Sequence, residues 1–255
     1  MDRIFYDSVQ CSVFCVGRQE AVNVAGFPPF LQKNRIHVWS ASYRDLDRHY
    51  KVLSGIISTE ERDTASLFRN PADTRRYILR HGALRVILSN YIHQNPETVS
   101  FFTGKNGKPE LGFRSSSADV SFNLSHTSEM VIIGITRNQR IGIDIVRMDP
   151  LYQYHDVADY MLTPAEKGFM QGAGPAEGYQ VFFRIWALKE AILKTTGETL
   201  SMMKDTDTSD SIPERFSFPC CSMKYRNSLP PLFIWQFNSG QQHCCAMAAE
   251  IGIPI

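Results

Sequence analysis

The chain has almost no net charge. Its 255 residues carry 27 basic and 26 acidic side chains, a balance of +1 at neutral pH. A global positive field that would hold nucleic acid is therefore missing. No apolar run approaches the roughly 18 residues that a membrane helix needs. Asp2 and Asp7 flank the first residues and no uninterrupted apolar segment follows, so the start does not read as a secretion signal. P-loop and Rossmann fingerprints are absent, which argues against a nucleotide-binding regulator. Cysteines are few: Cys11, Cys15 and the vicinal pairs Cys220–Cys221 and Cys244–Cys245. They fit free thiols in a reducing compartment. A metal reading would recruit His243 beside the last pair, but neighbours on a strand point to opposite faces and share one ion poorly. These absences predict a cytoplasmic protein with neither a nucleic-acid nor a membrane partner.

What is present is ordinary globular material, 43% hydrophobic and 21% charged, enough for one large domain or two small ones. Residues 1 to about 35 have no clean period and read as an N-terminal extension that could pair with a sheet. Residues 35–41 alternate and predict a strand. Ser58 with Glu61 is a capping-box pattern opening a helix. A second helix is predicted over 73–90, with Arg75, Arg76, Arg80 and Arg85 read as its solvated face. Residues 101–113 read as a loop holding two glycines and two lysines. Strands are predicted at 120–126, 130–136 and 141–146, the last two joined as a hairpin by Arg137-Asn-Gln-Arg140. Thr163-Pro-Ala-Glu166 caps a helix to residue 171, and another spans 179–196. Residues 202–213 read as a polar, mobile loop, followed by strands near 232–237 and 244–251. This order lacks regular strand–helix alternation and predicts an α+β fold with antiparallel sheets. A break is expected near 137–140, giving an extension (1–35) and sub-domains 36–138 and 139–255.

Four short motifs could carry chemistry. In Ile141-Gly-Ile-Asp-Ile-Val146 a period of two sends Gly142, Asp144 and Val146 to one face. A carboxylate in so apolar a strand needs an ion partner or a metal. In Trp186-Ala-Leu-Lys-Glu-Ala-Ile-Leu-Lys194 helical spacing puts Trp186, Glu190 and Lys194 on one face and Ile185, Leu188 and Ile192 on the core side. A structural Glu190–Lys194 pair is the alternative reading. Phe122-Asn-Leu-Ser-His126 runs a strand into Ser125 and His126, and Gly107-Lys108-Pro109 is a turn that projects a lysine.

Taken together and in this order, these motifs resemble those of the Sfp-type (surfactin-type) 4'-phosphopantetheinyl transferases. The resemblance covers residues 36–200 and, more loosely, the last strands. It implies two similar α/β sub-domains in a pseudo-twofold arrangement with coenzyme A in the cleft between them, in a monomer. It implies transfer of 4'-phosphopantetheine to a serine of an acyl or peptidyl carrier protein, with release of 3',5'-bisphosphoadenosine. Mg²⁺ would be held by Asp144 and Glu190, Glu190 would take the serine proton, and Lys194 would stabilise the leaving group. Gly107, Lys108, Ser125 and His126 would hold coenzyme A. The sequence departs from the bacterial prototype at two places. Val146 stands where many members carry a second glutamate, so a water would complete the metal shell. Glu61 and Thr64 replace phosphate-binding lysines, and Arg76 and Arg80 take over that duty. A non-catalytic coenzyme A or carrier-protein binding module is the alternative, supported only by Val146.

Overall fold

The computed structural model describes residues 3–6, 9–16, 31–32, 35–104, 107–112, 119–174, 177–211, 220–221, 232–239 and 242–250. The chain forms two units. One comprises Met1–Gly104, Pro109–Ser121 and Ser128–Asn138; the other comprises Lys105–Lys108, Phe122–Thr127 and Gln139–Ile255.

In the first unit β1 (Arg3–Tyr6) and β2 (Val9–Val16) pair antiparallel, and β2 runs parallel to β3 (Arg35–Ser42). The N-terminal segment thus extends the sheet. On its other side β3 pairs antiparallel with β7 (Met130–Arg137). Both central strands are buried along their length except at the end residues, with Ile36, Val38, Ile132, Ile133 and Ile135 in the core. The helices are α1 (Tyr43–Asp47), α2 (Tyr50–Ile56), α3 (Thr59–Ser66) and α4 (Pro71–Ile92). Ser58 and Glu61 close the expected capping box at the start of α3. Asn70 caps α4, Pro71 opens it, and His93 ends it in the left-handed conformation.

Arg85 departs from the expected solvated face. It is buried, donates to Glu61 Oε2 at 2.7 Å and to the Val99 carbonyl at 2.7 Å, and anchors the end of this unit's helical layer. Burial pushes the Glu61 carboxyl up, but donors from His81, the Ser58 amide and Arg85 outweigh it and hold the group at about 2. Arg75 pairs with Asp47, and Arg76 with Asp73. Arg80 lies over the Tyr77 ring at 4.6 Å. The expected loop at 101–113 contains a small hairpin, β4 (Phe101–Thr103) with β5 (Pro109–Leu111).

The expected β7–β8 hairpin does not form. β8 (Ile141–Arg147) pairs instead with β11 (His243–Glu250), which pairs with β10 (Leu232–Ser239) and through it with β9 (Cys220–Cys221). Two long buried partners, β3 and β11, each claim one of the strands. The link between them passes through Asn138 with φ 54° and carries the chain from one sheet to another. The residues after Asn138 belong to the second unit.

In that unit α7 (Gly178–Thr196) packs on β8 and β11. Ile185, Leu188 and Ile192 are buried against Leu232, Ile234, Ala246 and Ala248, the core side that the spacing predicted. Burying each large aliphatic side chain contributes about 1.5–3 kcal/mol. Before α7 come α5 (His155–Met161), which has no counterpart in the sequence reading, and α6 (Pro164–Gly172), capped by Thr163 and Glu166 as expected.

Residues 202–211 are not the mobile loop that their polarity suggested. Met203, Thr206 and Thr208 are buried. The reason is a fully buried ion pair, Lys189 Nζ to Glu166 Oε2 at 2.6 Å. Lys189 also donates to the carbonyls of Met161 and Met203, while Glu166 accepts from Thr163 N, Thr208 N and Thr208 Oγ1. Thr208 and the Met203 carbonyl of the segment thus bind this pair directly. Burial lowers the Lys189 ammonium from its usual range, and Glu166 works against that. Removing one partner strands the other charge, so Lys189→Met should lose about 3–5 kcal/mol of stability. The double variant Lys189→Met/Glu166→Gln should recover part of it. Denaturant unfolding of the three proteins checks this.

Candidate active site

β8 is an edge strand of its sheet. In an antiparallel ladder the N–H and C=O of alternate residues face away from the partner strand. Here Ile141, Ile143 and Ile145 face that free edge. Buried backbone groups must find partners, and side chains of the second unit supply them. Asn123 Oδ1 accepts from Ile143 N at 2.8 Å, and Ser125 Oγ accepts from Ile145 N at 3.4 Å. Asn123 and Ser125 are alternate residues of β6 (Val120–His126) and so project to the same side. Lys108 Nζ donates to the Ile141 carbonyl at 2.7 Å, and Lys194 Nζ to the Ile143 carbonyl at 3.3 Å. The edge is thus covered by Asn123, Ser125, Lys108 and Lys194.

The side chains of β8 divide as its period requires. Ile141, Ile143 and Ile145 are buried in the interior. The face carrying Gly142, Asp144 and Val146 turns to α7. Gly142 permits a close approach: a Cβ there would stand 2.0 Å from the Ala191 carbonyl oxygen, 2.6 Å from Thr195 N and 2.7 Å from Thr195 Oγ1. Two of these are helix backbone atoms that cannot rotate away. The glycine therefore sets how near α7 lies to β8, and with it how near Glu190 and Lys194 come to Asp144. Val146 packs against the apolar cluster beneath α7.

Lys194 Nζ lies 2.6 Å from Asp144 Oδ1, 3.3 Å from Ser125 Oγ and 4.0 Å from Glu190 Oε2. Ser125 Oγ donates to Asp144 Oδ1 at 2.7 Å. Asp144 is buried, and Glu190, Lys194 and Trp186 are half-buried along one face of α7. No hydrogen bond to the Glu190 carboxylate is formed among the described residues. Burial pushes that carboxyl above its usual 4.5; Lys194 pulls it down and Asp144 pushes it further up. Two carboxylates therefore share one ammonium.

The remaining expected site residues lie as follows. Gly107 is exposed with φ 80°, a left-handed turn residue that carries Lys108. Lys108 donates to the carbonyls of Ile141 and Lys194, so its ammonium braces the start of β8 against the end of α7. His126 is exposed at the end of β6. Arg76 and Arg80 stand on α4 of the first unit. Cys244 and Cys245 are buried free thiols, and burial pushes Cys244 up to about 12. Among the described residues no group of three or more His, Cys, Asp or Glu is placed to hold a metal. Two residues of this architecture had no role in the sequence reading: Asn123, whose signal was its alternation with Ser125, and Lys189, adjacent to Glu190 and wholly buried.

Adding a methyl group at residue 142 must push α7 off β8, so Gly142→Ala should destabilise the protein by at least about 1–3 kcal/mol. Gly168 in α6 has open space around its Cβ position, and Gly168→Ala should be neutral or gain up to about 1 kcal/mol from helix propensity. Urea unfolding of the two variants beside the parent tests the assignment.

Two family profiles match the chain in tandem. One, described as the N-terminal part of 4'-phosphopantetheinyl transferase, covers residues 38–137; the other, the 4'-phosphopantetheinyl transferase superfamily, covers residues 140–248. Among curated proteins the chain is 28% identical to 4'-phosphopantetheinyl transferase HetI of Nostoc sp., over 69% of this chain and 75% of that one. It is 28% identical to AcpT of Salmonella typhimurium over 68% of this chain and 87% of the relative. It is 27% identical to Sfp of Bacillus subtilis over 59% of this chain and 64% of Sfp, just under two thirds of that relative's length. One profile falls on each side of residue 138 and the second contains Gly142, Asp144, Glu190 and Lys194, so the chain belongs to the Sfp-type 4'-phosphopantetheinyl transferase family.

Proposed function

We propose that this protein transfers the 4'-phosphopantetheine arm of coenzyme A to a serine of an acyl or peptidyl carrier protein, using Mg²⁺ held by Asp144 and Glu190. The observation that carries the reading is the pair of carboxylates, one from β8 and one from α7, gathered around a single cation, the Lys194 ammonium. Their hard oxygen donors suit Mg²⁺. Two protein ligands also suffice for an ion that usually keeps waters and takes phosphate oxygens from its substrate. When bound, the metal offsets the negative charge of the pyrophosphate under attack.

The chain's own residues account for the rest. Glu190 accepts the proton of the attacking serine. The serine oxygen forms a bond to phosphorus, and the bond to 3',5'-bisphosphoadenosine breaks. Lys194 neutralises the phosphate that leaves. Ser125, His126 and the Gly107-Lys108 turn serve the phosphates of coenzyme A, Lys108 while also bracing β8. Arg76 and Arg80 are assigned to coenzyme A phosphates. Val146 contributes no ligand, and a water would complete the shell of a metal held by Asp144 and Glu190. The two units act as the sub-domains of a cytoplasmic monomer; the expected division into 36–138 and 139–255 is amended in that Lys105–Lys108 and Phe122–Thr127 go with the second unit and the N-terminal extension, residues 1–35, with the first. The carrier belongs to fatty-acid, polyketide or nonribosomal peptide synthesis. Nucleic acid and membranes are not partners, and no described helix is long and apolar enough to cross a membrane.

Asp144→Asn and Glu190→Gln should each lower transfer at least about 100-fold, the scale of losing a positioned acid–base or charge-stabilising group. Circular dichroism should remain that of the parent. The mass gained by an apo carrier protein incubated with coenzyme A and Mg²⁺ reads the outcome. Near-parental turnover by either folded variant would overturn the proposal.

A further inference from the structure

Each buried carboxylate of the framework has a cation and a backbone amide: Glu61 has Arg85 and Ser58 N, and Glu166 has Lys189 with Thr163 N and Thr208 N. Asp144 and Glu190 differ. Among the described residues they have one ammonium between them, and that ammonium is itself held by the Ser125 hydroxyl and the Ile143 carbonyl. Its 2.6 Å contact to Asp144 Oδ1 is a direct charged hydrogen bond, while Glu190 is 4.0 Å away. The seat is a built one: an edge carbonyl of β8, a hydroxyl from β6 and a carboxylate converge on it. Lys194 reaches it from the last two turns of α7, where a cation is also favoured by the helix dipole.

We infer that Lys194 is the internal counter-cation of the Asp144–Glu190 pair, and that a divalent ion and the Lys194 ammonium compete for the same two carboxylates. The inference rests on the metal reading above and adds a positioning role to Lys194. Without metal, its ammonium keeps two neighbouring negative charges from repelling each other and holds them in place. When a divalent ion binds, like charges repel, the lysine leaves Asp144, and its charge becomes available to the phosphate of the co-substrate. One side chain then serves twice, and its second duty begins only once the metal is bound. The resident lysine also makes metal binding weaker than two carboxylates alone would give.

Mn²⁺ titration of the metal-free protein without coenzyme A, read by the electron paramagnetic resonance signal of the free ion, tests this directly. Lys194→Gln should bind Mn²⁺ about tenfold or more tightly than the parent, the scale on which one neighbouring charge moves an ionic equilibrium. Lys194→Arg, which keeps the charge, should not tighten it. Equal or weaker binding by Lys194→Gln would overturn the inference while leaving the metal reading intact, provided Asp144→Asn loses binding. Parental binding by Asp144→Asn would overturn the metal reading, and the inference with it. Acetic anhydride labelling of the unsubstituted protein gives a second reading that needs no folded variant. Lys194 acetylation should rise several-fold when Mn²⁺ is added, and an unchanged extent of labelling would contradict the displacement.

Discussion

An open strand edge organises this protein's chemistry. Among the described residues β8 has one ladder partner, β11, so half of its backbone groups would be left without hydrogen bonds in a buried place. Asn123, Ser125, Lys108 and Lys194 fill that need. In doing so they bring a hydroxyl and two ammonium groups to the strand that carries Asp144. The polar residues of the site thus have a structural reason to be there before any substrate arrives. Gly142 completes the arrangement by letting the helix backbone approach where any side chain would collide.

The same molecule shows what a purely structural buried charge looks like. Glu166 and Lys189 saturate each other and the surrounding backbone, and neither is exposed. Breaking such a pair is costly, but its presence does no chemistry. Asp144 and Glu190 are arranged otherwise, with an excess of negative charge and a carboxyl raised by burial. Local electrostatics that do not balance within the protein are balanced by something it binds. That imbalance, more than the identity of any one residue, separates the site from the framework.

Much of this was legible in the chain. Both capping boxes, the core side of α7 and the face shared by Gly142, Asp144 and Val146 follow from short-range spacing, which the backbone imposes locally. The hairpin expected of β7 and β8 was wrong because strand pairing is a competition among distant partners. A four-residue link says nothing of β3 or β11. The segment after α7 was misread as mobile because Thr208 and the Met203 carbonyl bind a buried ion pair, Glu166 with Lys189, that sequence periodicity could not place. Arg85 was misread for a similar reason, since its partner Glu61 lies 24 residues earlier, on the preceding helix. At the site, the motifs named Asp144, Glu190 and Lys194. Only coordinates could show that the lysine sits between the two carboxylates, and that Lys108 braces backbone carbonyls.

The claim on which the account turns is that the carboxylates of β8 and α7 jointly bind a divalent ion. Anomalous X-ray scattering from crystals grown with Mn²⁺ and coenzyme A measures it most directly. The account predicts a single strong peak within bonding distance of both Asp144 and Glu190, with Lys194 Nζ no longer in contact with Asp144. A peak bound elsewhere, or an Asp144–Lys194 contact unchanged beside the bound co-substrate and ion, would contradict it.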